Sequence, residues 1–219
     1  MGHRLLLDHL KEYRGSIRTA LHVGANKANE RYQWETLRAN RVIWVEADPA
    51  AIPDIEWNLR GLPDQEVHQA LLGDKDDESS EFHVMSVRGA NSMLPVLADG
   101  CLGYIPEENV TAMTMTRADT LLRKLDIAPG DLNALVVDVQ GTELQVLQGL
   151  GDYIHRVKYV VAEYFEKPVY EGQTTVQDLV LFMVNMGCRL WAHRGVTGPA
   201  RDAVGDFLFV RGAPARRPQ

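Results

Sequence analysis

The stretch from Thr19 to Pro49, TALHVGANKANERYQWETLRANRVIWVEADP, constrains the fold more than any other part of the chain. A short apolar run, Ala20-Leu21-His22-Val23, breaks at Gly24. A polar, helix-competent segment follows, and a second apolar run, Val42-Ile43-Trp44-Val45, stops at Glu46. Strand, glycine turn, helix, strand and acid in that order make the first half of a nucleotide-binding α/β unit. Gly24 has no Cβ, so the chain can turn tightly off the strand and let a ligand approach its backbone. A helix beginning near Asn29 points its free N–H groups at whatever sits in the turn. Glu46 stands about 20 residues beyond the turn, where an acid can accept both hydroxyls of a ribose. Behind it, Asp48-Pro49 has the form of an N-cap and first helical position, predicting a second helix from Pro49 to about Arg60.

The turn also limits the ligand. A dinucleotide fingerprint needs a second and a third glycine, whereas this turn is Gly24-Ala25-Asn26-Lys27-Ala28. The second glycine is what lets a pyrophosphate lie against the backbone. Its absence argues against NAD or FAD and for an adenosine ligand without a diphosphate. S-adenosylmethionine is the obvious candidate. Ala25 and Asn26 in the turn, and Ala47 beside Glu46, then join the cofactor contacts. A third strand over Glu66 to Leu72 places Leu71 and Leu72 as an adenine wall, with Asp74 a partner for the amino group.

The 219 residues suffice for one domain with a large core, and nothing in the sequence forces a second. A net charge of −7 disfavours nucleic acid and anionic membrane surfaces as partners. Cys101 and Cys188 offer neither a disulfide framework nor metal-ligand spacing, which fits free thiols in a reducing cytoplasm. Residues 1–18, with Leu6, Leu10, Tyr13 and Ile17 at helical spacing, predict a leading amphipathic helix. Residues 19–211 form the main domain, and 212–219 read as a disordered tail. Glu81 to Val87 and Val110 to Thr116 alternate like strands, and Ala118 to Leu125 reads as a helix. Between the two strands, residues 88–109 form a long irregular stretch with too much apolar content for disorder, read as a lid or acceptor-binding loop.

Leu132 to Val139 is nearly continuous apolar sequence, as a central parallel strand should be, and carries Asp138 near its end. Thr142-Glu143-Leu144-Gln145 has the form of a capping box opening a helix to about Gly149. Val157 to Ala162 is another apolar strand, closed by Glu163. A helix over Gln173 to Met186 and a terminal strand pair complete the chain. The alternation predicts an open, mainly parallel sheet with helices on both faces and an antiparallel terminal strand pair. In such sheets ligands bind at the carboxyl ends of the strands, where Gly24, Glu46, Asp138 and Glu163 converge.

These segments resemble the FkbM-type methyltransferases. The resemblance rests on His22-Val23-Gly24-Ala25-Asn26, Trp44-Val45-Glu46-Ala47-Asp48-Pro49 and Leu135-Val136-Val137-Asp138-Val139-Gln140-Gly141-Thr142-Glu143-Leu144. Asn91-Ser92-Met93-Leu94, Thr116-Arg117-Ala118-Asp119 and Tyr170-Glu171-Gly172 add to it. It runs from about residue 19 to 211 and is most specific in the aspartate-glycine-glutamate segment. It implies a class I, Rossmann-like fold and S-adenosylmethionine-dependent methyl transfer to oxygen, usually on a sugar or a polyketide-like metabolite. His22 replaces the family's usual aspartate before the turn, a change shared by a branch with an acid like Glu30 after it, and Ala28 replaces a glycine.

A hydroxyl acceptor must lose its proton, which calls for a base or a metal. Asp138 is the best candidate base, and Glu163 on the neighbouring strand could pair with it or share a divalent cation, Mg²⁺ rather than Zn²⁺. Asn91 and Ser92 are candidates for acceptor hydroxyls or for loop capping. Tyr164 and Tyr170 are aromatic candidates for the acceptor. His22 counts among the cofactor contacts of the turn, although a strand histidine is more often a hydrogen-bonded structural residue. The expected partner is a small hydroxylated molecule, and the sequence admits a homo-oligomer without requiring one. Two competing readings are a nicotinamide-dependent oxidoreductase, disfavoured by the incomplete glycine fingerprint, and a cofactor-binding module without catalysis, disfavoured by the intact acids.

Overall fold

Strands that carry apolar residues on both faces must be covered on both, and this requirement shapes the fold. In the computed structural model, which describes residues 6–98, 105–195 and 204–212, β1 (Thr19–Val23) and β7 (Leu132–Val137) are buried along their whole length. They pair in parallel at the centre of a seven-stranded sheet. On one side of β1 lie β2 (Arg41–Glu46) and the edge strand β3 (Gln65–Gln69), both parallel to it. On the other side of β7 come β8 (Tyr159–Phe165), then β10 (Val204–Arg211), then the edge strand β9 (Cys188–Gly195). Only β10 runs against its neighbours. The sheet order is therefore β3-β2-β1-β7-β8-β10-β9, with β1 and β7 flanking the point where the connections reverse.

Alternate residues of each strand supply two cores. Leu21, Val23, Ile43, Val45, Leu135 and Val137 face one side. There they meet α3 (Ala118–Lys124), α4 (Glu143–Gln148) and α5 (Val176–Asn185). Ala20, His22, Trp44 and Val136 face the other side, against α1 (Arg31–Leu37), α2 (Ile52–Asn58) and the amino-terminal residues. Trp34 and Leu37 are the buried anchors of α1.

Several expectations change in detail. Where spacing predicts one leading helix, the described residues form a helical turn at 6–8 and a 3-10 turn at Lys11–Tyr13, while Leu6, Leu10 and Ile17 are buried. The predicted third strand divides. β2 ends at Glu46, so β3 has no partner beyond Gln69. Leu71–Gly73 (β4) leaves the main sheet and pairs in parallel with β6 (Glu107–Arg117), whose other edge carries β5 (Ser79–Met85). Asp48 does not open a helix at Pro49. Its carboxylate accepts from the Ala50 N–H at 2.9 Å, and α2 starts later, with a proline in its first turn. Thr142 makes no side-chain cap. The carboxylate of Glu143 instead reaches back to the N–H groups of Val139 and Gly141, at 3.3 and 3.0 Å. Residues 213–219, read as a tail, lie outside the described residues, as does Cys101. Cys188 is a buried free thiol, and among the described residues no helix is long and apolar enough to cross a membrane.

Candidate active site

Strand register assembles the site. Val45 of β2, Val23 of β1, Val137 of β7 and Ala162 of β8 are lateral partners across the sheet. The next residue of each strand must therefore stand in one row, and those residues are Glu46, Gly24, Asp138 and Glu163. Asp206 of β10, the direct partner of Glu163, extends the row. Asp138 follows the last residue of β7, whereas Glu163 lies two residues inside the end of β8 rather than closing it.

Gly24 sits at φ +83°, and a Cβ there would lie 1.7 Å from the carbonyl oxygen of Asp138. The glycine is required by the close approach of the two strand ends, before any ligand is considered. Its N–H and that of Ala25 donate to the Val45 carbonyl. The following Asn26 N–H donates to Glu46 Oε2 at 2.8 Å, and the Asp48 N–H donates to Oε1 at 2.9 Å. Burial raises the pKa of Glu46, and those N–H groups oppose the rise.

A cavity opens above this row. Gly24, Asn26, Glu46, Ala47, Leu71, Leu72 and Asp138 all line it. The strap formed by residues 86–98 covers it, presenting Arg88, Gly89, Asn91, Ser92 and Met93. A carboxylate has about four acceptor positions, and the two backbone bonds to Glu46 leave places for the two hydroxyls of a ribose. Leu71, Leu72 and Phe82 give the cavity an apolar wall. The residues present thus fit an adenosine group.

Other predicted site residues lie elsewhere. His22 is on the far face of β1, stacked on Trp44 at 4.2 Å and accepting from the Trp34 indole N–H at 3.3 Å. A strand alternates sides, so His22 points away from its neighbour Val23, which lines the cavity, and into the core of Ala20 and Trp44. Ala25 packs in the same core and does not line the cavity. Tyr164 is stacked on Phe207 at 3.9 Å inside the opposite core. Asp74 does not line the cavity, and its carbonyl accepts from Arg117. Arg117 also bonds Asp119 and, through its N–H, Asp76, so the Thr116-Arg117-Ala118-Asp119 segment braces the turn after β4.

Asn91 and Ser92 line the cavity but are already engaged. Asn91 accepts from the Met85 N–H and donates to Asp48, while Ser92 donates to the Gln140 carbonyl at 2.7 Å and accepts from the Leu94 N–H. Tyr170 is buried beneath the strap, its hydroxyl 2.9 Å from Gln140 Oε1 and 3.2 Å from the Ala90 carbonyl.

The acids form one electrostatic unit. Gln140 Nε2 lies 2.6 Å from both Asp138 Oδ1 and Glu163 Oε2, donating to each. Burial, then the Asp138 and Glu143 carboxylates, push the pKa of Glu163 well above the ordinary range, and Glu163 shares a hydrogen bond with Asp138. Burial also pushes Glu143 up to about 7. Among the described residues, no group of three His, Cys, Asp or Glu is arranged to hold a metal ion. The Gln140 amide nitrogen thus bridges the two carboxylates.

Gln140 carried no assigned role in the sequence. The available signal was its place in the turn after the buried strand, where it adopts φ +60° beside Gly141 at φ +105°.

The family model for the methyltransferase FkbM domain matches residues 22–190. No curated protein matches. Among solved structures, M. capricolum TrmK in complex with the natural cofactor product S-adenosyl-homocysteine is similar, with a TM-score of 0.51 and 6% identity over 94% of this chain and 67% of that one. Precorrin-6y C5,15-methyltransferase from Geobacter metallireducens GS-15 gives 0.50 and 12% over 95% and 87%. A protein in the NADB-Rossmann superfamily from Streptococcus agalactiae gives 0.54 and 12% over 99% and 71%. At such identities the likeness is one of fold, and that fold is the class I methyltransferase architecture.

Proposed function

The chain belongs to the FkbM methyltransferase family, and from that premise we propose that it is an S-adenosylmethionine-dependent O-methyltransferase acting on a small hydroxylated metabolite, a sugar or a polyketide-like product. The observation that carries this reading is that Glu46, Gly24 and Asp138 line the floor of one cavity in a single row, with Glu163 next in that row and bonded to the same Gln140 amide as Asp138. When bound, S-adenosylmethionine supplies an electrophilic methyl group. Glu46 and the Gly24–Asn26 turn hold the ribose end of the cofactor. Leu71, Leu72 and Phe82 shelter the adenine. Asp138, lining the cavity, accepts the proton of the acceptor hydroxyl. Glu163 and Gln140 keep the receiving oxygen in place through the bonds described above. The strap excludes water from the reacting centre.

The carboxyl pair is read here as proton-handling rather than as a Mg²⁺ site. Activity unchanged by EDTA is the expected result, and loss of activity restored by Mg²⁺ would reverse this assignment.

Calorimetric titration with S-adenosylhomocysteine and, separately, NAD tests the cofactor. Binding of the first alone is expected, and binding of NAD alone would overturn the reading. Transfer of labelled methyl groups to a panel of polyhydroxylated acceptors tests the chemistry. Asp138→Asn should then keep S-adenosylhomocysteine affinity and lose about 10²- to 10⁴-fold in turnover. Turnover that survives the change would remove Asp138 as the base.

A further inference from the structure

One residue joins the roof of the cavity to its floor. The Gln140 side chain donates to Asp138 and Glu163 on one side and accepts from the Tyr170 hydroxyl on the other. Its carbonyl accepts from the Ser92 hydroxyl. Ser92 belongs to the strap, and so does Ala90, whose carbonyl is the other acceptor near the Tyr170 hydroxyl. The strap is also paired with the segment carrying Tyr170, through a Val96–Tyr170 bridge and the bonds Leu97 N–H to Val169 O and Glu171 N–H to Pro95 O.

An amide can face its partners in two orientations, and its neighbours decide which. A phenol has one proton to give. If Tyr170 gives it to Gln140 Oε1, the Nε2 of the same amide must face the two acids. Tyr170 thereby sets the orientation of the Gln140 side chain, and the seated strap holds Tyr170. We propose that Gln140 and Tyr170 are positioning residues that tie closure of the 86–98 strap over the cavity to the placement of the Asp138–Glu163 pair. Closure and alignment then form one event, so the acids are set only when the cavity is covered. The proposal rests on the reading of this cavity as the cofactor site, but its first test needs no cofactor.

In ¹⁵N-labelled protein, the Gln140 side-chain amide signal is identified by its loss in Gln140→Leu. Tyr170→Phe keeps the ring, which packs edge-on to Phe165 with centroids 5.5 Å apart, and removes only the hydroxyl. In that variant the amide signal should move toward the position of a free glutamine. Hydrogen exchange at the Ala90, Ser92 and Leu94 amides should quicken about fivefold to tenfold, the worth of one net hydrogen bond. The central-strand amide of Val136 should not change. Ser92→Ala, which leaves both acids and Tyr170 intact, should quicken the same strap amides. An unmoved Gln140 signal in Tyr170→Phe overturns the proposal, and so does exchange that rises equally at Val136. With S-adenosylhomocysteine bound, its release from Tyr170→Phe should be faster by a similar factor, and an unchanged release rate also counts against the link. If the wild-type protein binds no S-adenosylhomocysteine, the cofactor reading fails while the exchange and amide results still decide the link.

Discussion

Glu143 offers the sharpest test of the electrostatics beneath the cavity. Its side chain is 1% exposed and stands where the loop after β7 turns into α4. Burial disfavours its charge, the Asp138 carboxylate adds to that, and the N–H groups of Gly141 and Val139 offset part of it, leaving a pKa of about 7 against an ordinary 4.5. The folded protein therefore binds this proton more tightly than the unfolded chain. The group costs nothing in strong acid, its cost grows as pH rises through 4.5, and the full cost is reached above about 7. The rise from 4.5 to about 7 amounts to roughly 3 kcal/mol, a tenfold change in proton affinity being worth ~1.4 kcal/mol. Glu143→Gln keeps an acceptor oxygen for the two N–H groups and cannot ionise. Any cost of its added amide donor is the same at every pH, so the decisive quantity is the change in the stability gap between variant and wild type. Between pH 5 and pH 8 that gap should move by roughly 2–3 kcal/mol in favour of the variant. The removed charge also relaxes Glu163, in the same direction. Denaturant unfolding of both proteins at the two pH values measures it. A gap that stays constant would show that Glu143 is not the desolvated acid described here.

Three further substitutions separate the cavity from the core. Glu46→Ala removes the carboxylate proposed to hold the ribose, and should weaken S-adenosylhomocysteine binding by about 10- to 100-fold in calorimetry, since a hydrogen bond to a charged group is worth about 1.5–3 kcal/mol; unchanged affinity would place the ribose elsewhere. Gly24→Ala forces a Cβ to 1.7 Å from the Asp138 carbonyl. Its unfolding midpoint should fall by an amount equivalent to more than about 4 kcal/mol, the range reserved for disrupted backbone or core, and a wild-type midpoint would refute the close approach. His22→Leu leaves the Trp34 indole N–H without its acceptor and should cost about 1–3 kcal/mol in denaturant unfolding. It should leave S-adenosylhomocysteine affinity as it was, and a lost affinity would return His22 to the site.

The sheet was legible because its information is local. Short, nearly continuous apolar runs such as Leu132 to Val137, bounded by turn residues, read as strands covered on both faces, and glycine turns and helical spacing place the elements between them. The small second sheet was less legible. Leu71 to Gly73 continues the pattern of β3, and nothing in its residues says that β2 has already ended. Strand departure depends on the length of a neighbour more than 20 residues away in sequence. The helix starts at Asp48-Pro49 and at Thr142 were misplaced for another reason. Each has the residues of a cap, but Asp48 is drawn into a turn and toward Asn91, and Glu143 into the loop after β7. Tertiary partners outbid the local motif.

The site shows the same division at finer scale. Gly24, Glu46, Asp138 and Glu163 are visible in sequence as strand-end residues, but their alignment in one row follows from register, which no single strand encodes. Register also decides between residues of equal chemistry. Tyr164 and Tyr170 are both aromatic and both near the acids in sequence. Tyr164 sits in β8, where alternation turns it onto Phe207, whereas Tyr170 lies past the strand and folds back beneath the strap to Gln140. Gln140 was invisible as a functional residue because an amide has no charge to mark it. Its importance comes from having a donor and an acceptor at the one position where two acids, a phenol and a strap meet. A carboxylate there would be a third negative group beside Asp138 and Glu163. An aliphatic side chain would remove the donor shared by the two acids and the nearer acceptor of the Tyr170 hydroxyl. Among side chains of that reach, an amide can donate to the acids and accept from the phenol at once, so the composition of the row itself selects a glutamine at position 140.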